Sequence, residues 1–371
     1  MDEHDPRGAD GDEPMTRTTP GKLWGMRRLA DDAGFFRMTA LDQRPPIMNP
    51  IRELRRTPEA PDQDVAAVKR VIAEQLAPVS TAVLMDPIWA YSACIDVIPP
   101  SKGLILTLED HRFADGTGGR RSRNIDDWSV EKIRRIGGDA VKVLAWYRPD
   151  AASDVIEHQK DYVRAIGDEC RRLDIAFVFE LLVYPFADRG NDYEEDPAKR
   201  PELVIDSVRT FADPQYGVDI FKLESPIPAK EVPEPGSSAS AEVQALFDAL
   251  GEAAGRPWVM LSAGAGKADF KRVLHHAFKA GASGFLAGRA IWLDAFGHFP
   301  DLDAMAADLA GDGRAYMEDL QSLTAAAARP LAEALAYGPG ADSPGAYAPG
   351  FAGAGFELPR SYGGMTGSSA G

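Results

Sequence analysis

Between residues 36 and 327, short apolar runs alternate with longer amphipathic stretches. FRMTALDQ (36–43), STAVLMDP (80–87), GLILTLE (103–109), AVKVLAWY (140–147), IAFVFELLVY (175–184), DIFKLESP (219–226), WVMLSAG (258–264) and GFLAGRA (284–290) read as strands. Helical periodicity predicts helices over 63–76, near 128–136, over 153–173, near 201–212, over 239–254 and 267–280, and a last one over 301–327. Strands that are apolar throughout, rather than at alternate positions, belong to parallel sheets covered on both faces. Eight strand–helix units in sequence predict an α/β fold of the (β/α)₈ TIM-barrel type. An open doubly wound sheet leaves a similar trace, but no GxGxxG follows the first strand to support dinucleotide binding.

Composition narrows the function classes. A net charge of −16 argues against a nucleic-acid partner, since phosphate backbones are bound by excess Lys and Arg. No apolar run approaches the roughly 18 residues of a membrane span, and the acidic N-terminus does not resemble a signal peptide, so a cytoplasmic protein is expected. Cys94 and Cys170 are too few for a disulfide framework and are expected to be buried, inert thiols. The six histidines form no metal-ligand spacing, which favours chemistry without metal or other cofactor. Residues 1–20 and 338–371 are polar or low-complexity and read as tails, leaving 21–330 as the barrel domain.

Polar residues at strand ends carry the candidate chemistry, because a barrel's active site lies at the C-terminal mouth of its strands. They are Asp42, Gln43 and Arg44 after strand 1, Asp86 after strand 2, Glu109 ending strand 3, Lys142 in strand 4, Glu180 in strand 5, Lys222 and Glu224 in strand 6, Ser262 after strand 7 and Arg289 after strand 8. Lys142 and Lys222 are the most informative, since an ammonium inside a barrel requires a partner or loses its proton. One reading is a plain Lys–Glu ion pair. The other is a pair of cations that depress each other's pKa until one becomes a neutral, nucleophilic amine, suited to Schiff-base chemistry. Glu180 is then the proton-transfer group. The pocket chemistry leaves open which lysine is the nucleophile.

SAGAGKADF (262–270) and AGRAIW (287–292) bring glycines to the turns after strands 7 and 8, where backbone amides approach a phosphate at a helix start. Tight strand–helix packing is the plainer reason for such glycines. Arg289 adds a charge-assisted contact to the phosphate reading.

LDQR (41–44), DDWSVEKIRRIGGDAVKVLAWYRPD (126–150), ELVIDSVRTFADPQYGVDIFKLESP (202–226), LSAGAGKADF (261–270) and AGRAIW (287–292) together resemble the class I tagatose-1,6-bisphosphate aldolase family, which includes relatives acting on sulfonated ketose phosphates. The resemblance runs over about residues 36–295. It implies a metal-independent barrel lyase that cleaves a ketose phosphate or bisphosphate, of the tagatose or fructose type, to dihydroxyacetone phosphate and an aldehyde. By motif, Lys222 matches the Schiff-base lysine, Lys142 the second lysine, Glu180 the proton-transfer carboxylate, and Asp42 and Gln43 the residues contacting hydroxyls or the lysines. Glu109 matches a further pocket carboxylate, and Ser262, Gly264, Gly288 and Arg289 the phosphate site.

Two loops depart from the family pattern, DQRPPIMNP (42–50) and DHRFADGTGGRRSR (110–123). Arg44, Arg120, Arg121 and Arg123 in them are either a site for a second phosphate or sulfonate, or a solvated basic loop. The expected partners are a small-molecule sugar phosphate and further copies of the chain in a homo-oligomer, with neither nucleic acid nor membrane. The alternatives are an aldolase for a sulfonated ketose phosphate and a phosphosugar isomerase or epimerase on the same barrel.

Overall fold

In the computed structural model, residues 18–116, 118–186 and 198–335 are described. The eight expected strands are present as β1 (Phe36–Ala40), β2 (Ala82–Met85), β3 (Gly103–Thr107), β4 (Ala140–Trp146), β5 (Ala176–Leu182), β6 (Ile220–Leu223), β7 (Trp258–Met260) and β8 (Gly284–Ala287). All pair in parallel in sequence order, and Phe36↔Gly284 joins β1 to β8 and closes the barrel. The doubly wound alternative is thereby removed. The strands are shorter than the apolar runs that announced them, and Asp42, Asp86, Glu109, Glu224 and Ser262 lie beyond the strand ends, on the mouth loops.

Period-two geometry decides what faces inward. The interior packs Met38, Ala40, Leu84, Ile105, Ala140, Val178, Ile220, Val259 and Leu286 in a separate cluster from the larger apolar layer between strands and helices. Counting on by two from this interior set reaches Asp42, Glu109, Lys142, Glu180, Lys222 and Gly288. One side-chain alternation therefore yields an apolar barrel floor and a charged mouth.

Several helices were not foreseen, among them three that shape the ends of the barrel. Pro20–Leu29 lies across the N-terminal end of the barrel, sending Met26 and Leu29 into the interior cluster and pairing Lys22 with Asp219 at 2.8 Å ahead of β6. Pro45–Arg55 starts on two prolines, which suit a first turn whose N–H groups have no acceptor anyway, and buries Ile47 and Ile51. Arg289–Phe296 follows β8 directly, so residues 289–290 are helical rather than strand. The long helix expected over 301–327 is two helices, Leu302–Asp308 and Arg314–Ala327, joined by a π-helical turn at Leu309–Gly313 that contains Gly311 and Gly313. Between β3 and β4, Ala114–Gly116 and Gly119–Arg121 form a small antiparallel hairpin over the mouth. Cys94 and Cys170 are buried free thiols, and burial raises both pKa values, that of Cys94 to about 12. Among the described residues no helix is long and apolar enough to cross a membrane. Of the expected tails, 1–20 and 338–371, all but residues 18–20 lie outside the described residues, and Pro20 already begins a helix.

Candidate active site

Glu180 and Lys222 are register partners on adjacent strands, so they enter the mouth side by side. Lys222 Nζ donates to Glu180 Oε2 at 2.8 Å, and Lys142 Nζ lies 2.8 Å from the same oxygen. Lys142 also donates to Asp42 Oδ2 and Glu109 Oε1, each at 2.8 Å. All five side chains are buried. Three carboxylates thus surround Lys142, one for each ammonium proton, whereas Lys222 has one and shares it.

For Lys142 this arrangement works against the reading in which two cations depress each other's pKa. Burial acts on Lys142 in that direction, but Asp42, Glu109 and Glu180 outweigh it and raise its pKa above the ordinary lysine value. Lys142 is a fixed ammonium. Burial likewise opposes ionisation of Asp42, yet Lys142, Lys222 and Arg44 prevail and hold its carboxyl well below the usual range. Glu180 is also lowered, with burial outweighed by the charges of Lys142 and Lys222.

Glu109 is a hub. It accepts from Lys142, from Thr107 Oγ1, from Leu144 N at 3.1 Å and from Arg44 Nη2 at 3.0 Å, while its backbone carbonyl accepts from Arg44 Nη1 at 3.0 Å. Arg44 therefore spends both terminal nitrogens on Glu109. Of the other three loop arginines, Arg121 pairs with Asp154, and Arg123 with Asp110 at 2.6 Å. Only Arg120 of these three lines the mouth cavity.

The loop carrying Asp42 and Gln43 is held from behind. Lys69, fully buried, donates to the carbonyls of Leu41 and Gln43 and pairs with Asp86 Oδ2 at 2.7 Å. Asp86 Oδ1 accepts from the backbone N–H groups of Ile88 and Trp89. Asp86, a rim candidate by sequence, is thus the counter-ion of a loop anchor. Lys69 escaped notice because one lysine within an amphipathic helix reads as a surface residue.

The cavity has two lobes, of about 340 and 270 Å³, which share Gln43, Trp146, Glu180, Leu182, Lys222 and Arg289. The first lobe adds Ser262, Gly288 and Arg120; the second adds Asp42, Arg44, Glu109 and Lys142. Gly264 faces an adjoining cavity of about 440 Å³ that also touches Ser262. Ala263 and Gly264 have φ of 48° and 83°, and a Cβ on Gly264 would meet Arg289 Nη1 at 3.0 Å. The turn after β7 therefore takes a left-handed path so that Arg289 can lie against it. A Cβ on Gly288 would meet Ala40 O at 2.6 Å and Gln43 Nε2 at 2.8 Å. Burial lowers the pKa of Arg289, partly offset by Glu180 and Asp42. Gln43 Oε1 is buried with no hydrogen-bond partner among the described residues. Sequence reasoning did not single out Arg200, whose Nη2 pairs with Glu224 Oε2 at 2.5 Å on the first lobe. Burial raises the pKa of Glu224 despite that partner. Among the described residues, no group of three or more His, Cys, Asp or Glu is arranged to hold a metal ion.

The sequence profile of the DeoC/LacD family aldolases matches residues 38–294. A tagatose 1,6-diphosphate aldolase of Enterococcus faecalis is 31% identical, covering 83% of this chain and 96% of its own. One from Listeria monocytogenes is 32% identical, over 76% of this chain and 84% of its own. Among solved structures, fructose-bisphosphate aldolase of Plasmodium falciparum superposes with a TM-score of 0.60 at 11% identity, over 82% of this chain and 94% of the other. An archaeal fructose-1,6-bisphosphate aldolase, in which the catalytic Lys is covalently bound to the carbinolamine intermediate of the substrate, gives 0.53 at 16%, over 81% and 98%. The chain is an aldolase, a carbon–carbon lyase built on a (β/α)₈ barrel. It belongs to the DeoC/LacD aldolase family.

Proposed function

We propose that the protein is a class I, metal-independent aldolase that cleaves a ketose phosphate or bisphosphate of the tagatose or fructose type, with Lys222 as the Schiff-base nucleophile. The observation that carries this reading is the asymmetry between the lysines. Lys142 has a carboxylate for each of its three protons, while Lys222 has one carboxylate, Glu180, and faces both lobes. Lys142 is the fixed positive charge and Lys222 the amine that reacts.

In this mechanism Glu180 takes a proton from Lys222, and the amine adds to the C2 carbonyl, forming a C–N bond while the oxygen is protonated to give a carbinolamine. Protonation of that hydroxyl, again through Glu180, releases water and leaves an iminium. A carboxylate removes the C4 hydroxyl proton, the C3–C4 bond breaks, its electrons enter the iminium as an enamine, and the aldehyde departs. Protonation at C3 and hydrolysis return Lys222 and free dihydroxyacetone phosphate. The phosphate is held at Ser262, Gly264, Gly288 and Arg289, while Asp42 and Gln43 contact hydroxyls. The names of the relatives support the tagatose-type substrate.

Membership of an aldolase family leaves the isomerase or epimerase alternative without support. The buried free cysteines fit a cytoplasmic setting. The test is cleavage by Lys222→Arg, assayed as dihydroxyacetone phosphate release with EDTA present. Arginine keeps the charge but forms no imine, so release falls to background; substantial residual cleavage would remove the mechanism.

A further inference from the structure

We infer that Lys69, with Asp86 behind it, is a positioning residue for the aldehyde half of the substrate: it clamps the backbone on either side of Asp42, so that Asp42 and Gln43 meet the substrate hydroxyls in fixed places. This rests on the reading of Lys222 as the Schiff-base amine and of Asp42 and Gln43 as hydroxyl contacts.

Lys69 occupies a position where an apolar side chain would serve packing as well. It lies on the buried face of the helix Asp62–Leu76 with Val65, Val68, Ile72, Ala73 and Leu76, in the apolar layer between strands and helices. The side chains of Lys69 and its partner Asp86 are both wholly buried. Replacing a buried ion pair by apolar residues of similar volume is often neutral or stabilising, so stability alone does not account for this one. What an apolar side chain lacks is donors. Lys69 Nζ directs its donors to Leu41 O, to Gln43 O at 2.8 Å and to Asp86 Oδ2 at 2.7 Å.

The two carbonyls flank Asp42. Strand β1 ends at Ala40, so Asp42 and Gln43 stand beyond the ladder, and Lys69 holds the chain where strand pairing stops. Asp86 is fixed in turn, its Oδ1 accepting from the N–H groups of Ile88 at 3.0 Å and Trp89 at 2.7 Å. The side chains that the clamp presents face the cavity: Asp42 Oδ2 accepts from Lys142, and Gln43 lines both lobes with a buried Oε1 that has no hydrogen-bond partner among the described residues. None of the hydrogen bonds of Lys69 reaches Lys222, Glu180 or the turns after β7 and β8. If Asp42 shifts, Lys142 keeps Glu109 and Glu180, so the groups acting on the dihydroxyacetone half stay in place.

The experiment compares two activities of the full chain in Lys69→Met and in Lys69→Met/Asp86→Asn, the second of which leaves no uncompensated buried carboxylate. One activity is cleavage of tagatose 1,6-bisphosphate, which needs both halves of the site. The other is exchange of dihydroxyacetone phosphate with D2O, which needs only one. There the C2 carbonyl condenses with Lys222 and loses water, the C3 proton leaves to give the enamine, a deuteron from solvent takes its place, and hydrolysis returns the amine and the labelled ketone. Misplacing Asp42 and Gln43 by about an ångström lowers kcat for cleavage about 30- to 100-fold, while exchange changes less than about threefold. Equal losses in both activities, loss in neither, or failure of both variants to fold by circular dichroism would assign the pair to the scaffold and overturn the inference. Absence of exchange in the wild-type chain would overturn the Schiff-base reading, and this inference with it.

Discussion

One carboxylate oxygen, Glu180 Oε2, lies 2.8 Å from the ammonium nitrogens of both Lys142 and Lys222. The two lysines are therefore joined through Glu180 while differing in everything else around them. Lys142 is locked by Asp42 and Glu109 as well, and Lys222 is not.

That difference predicts opposite consequences for stability and activity. Lys142→Met leaves three buried carboxylates facing one another and costs about 3–5 kcal/mol, as expected when one partner of a buried ion cluster is removed. Lys222→Met leaves Glu180 still paired with Lys142 and costs less, on the order of 1–3 kcal/mol, yet abolishes cleavage. Urea denaturation of the two variants checks the order; equal losses would contradict it.

Asp42 gives a pH prediction. Its carboxyl is depressed in the folded protein relative to about 3.9 in an unfolded chain. Its contribution to stability is therefore fully present above the unfolded value and is lost as pH falls through the folded one. The stability gap between the wild-type chain and Asp42→Asn should be widest at neutral pH and shrink progressively below about pH 4. A gap that stayed constant, or grew, as the solution was acidified would show that the Lys142 and Arg44 charges do not act on Asp42 as the geometry indicates.

Gly288→Ala tests the anion cradle. The new methyl would lie 2.6 Å from the carbonyl of Ala40, a backbone atom that cannot swing aside, and it also presses on Gln43. The turn that presents Arg289 must shift, so KM for a ketose phosphate should rise at least about tenfold, while far-ultraviolet circular dichroism stays that of the wild-type chain. An unchanged KM would place the phosphate elsewhere.

Much of this was legible in the sequence because parallel strands buried on both faces are apolar throughout, so a lysine in VKVL or FKLE stands out against its neighbours. The inward phase of each strand follows from period-two counting and brings Lys142, Glu180 and Lys222, picked out in the sequence as charges on strands, together at the mouth. Other features were hidden for physical reasons. The helix at Pro45–Arg55 begins on prolines that read as loop, and Pro50 lies inside it. The pairing of Arg44 with Glu109 and the anchoring of the Asp42 loop by Lys69 join residues 65 and 26–28 positions apart, with no local spacing to announce them. The protonation of Lys142 depended on how many carboxylates reach one nitrogen. That number belongs to the folded geometry alone.

The most direct measurement is borohydride reduction of the wild-type chain in the presence of dihydroxyacetone phosphate and EDTA, followed by peptide mass analysis. A stable adduct on the peptide carrying Lys222, absent from Lys222→Met and from the Lys142 peptide, is the predicted result. An adduct on Lys142, or none on either lysine, would contradict the assignment of Lys222 as the nucleophile.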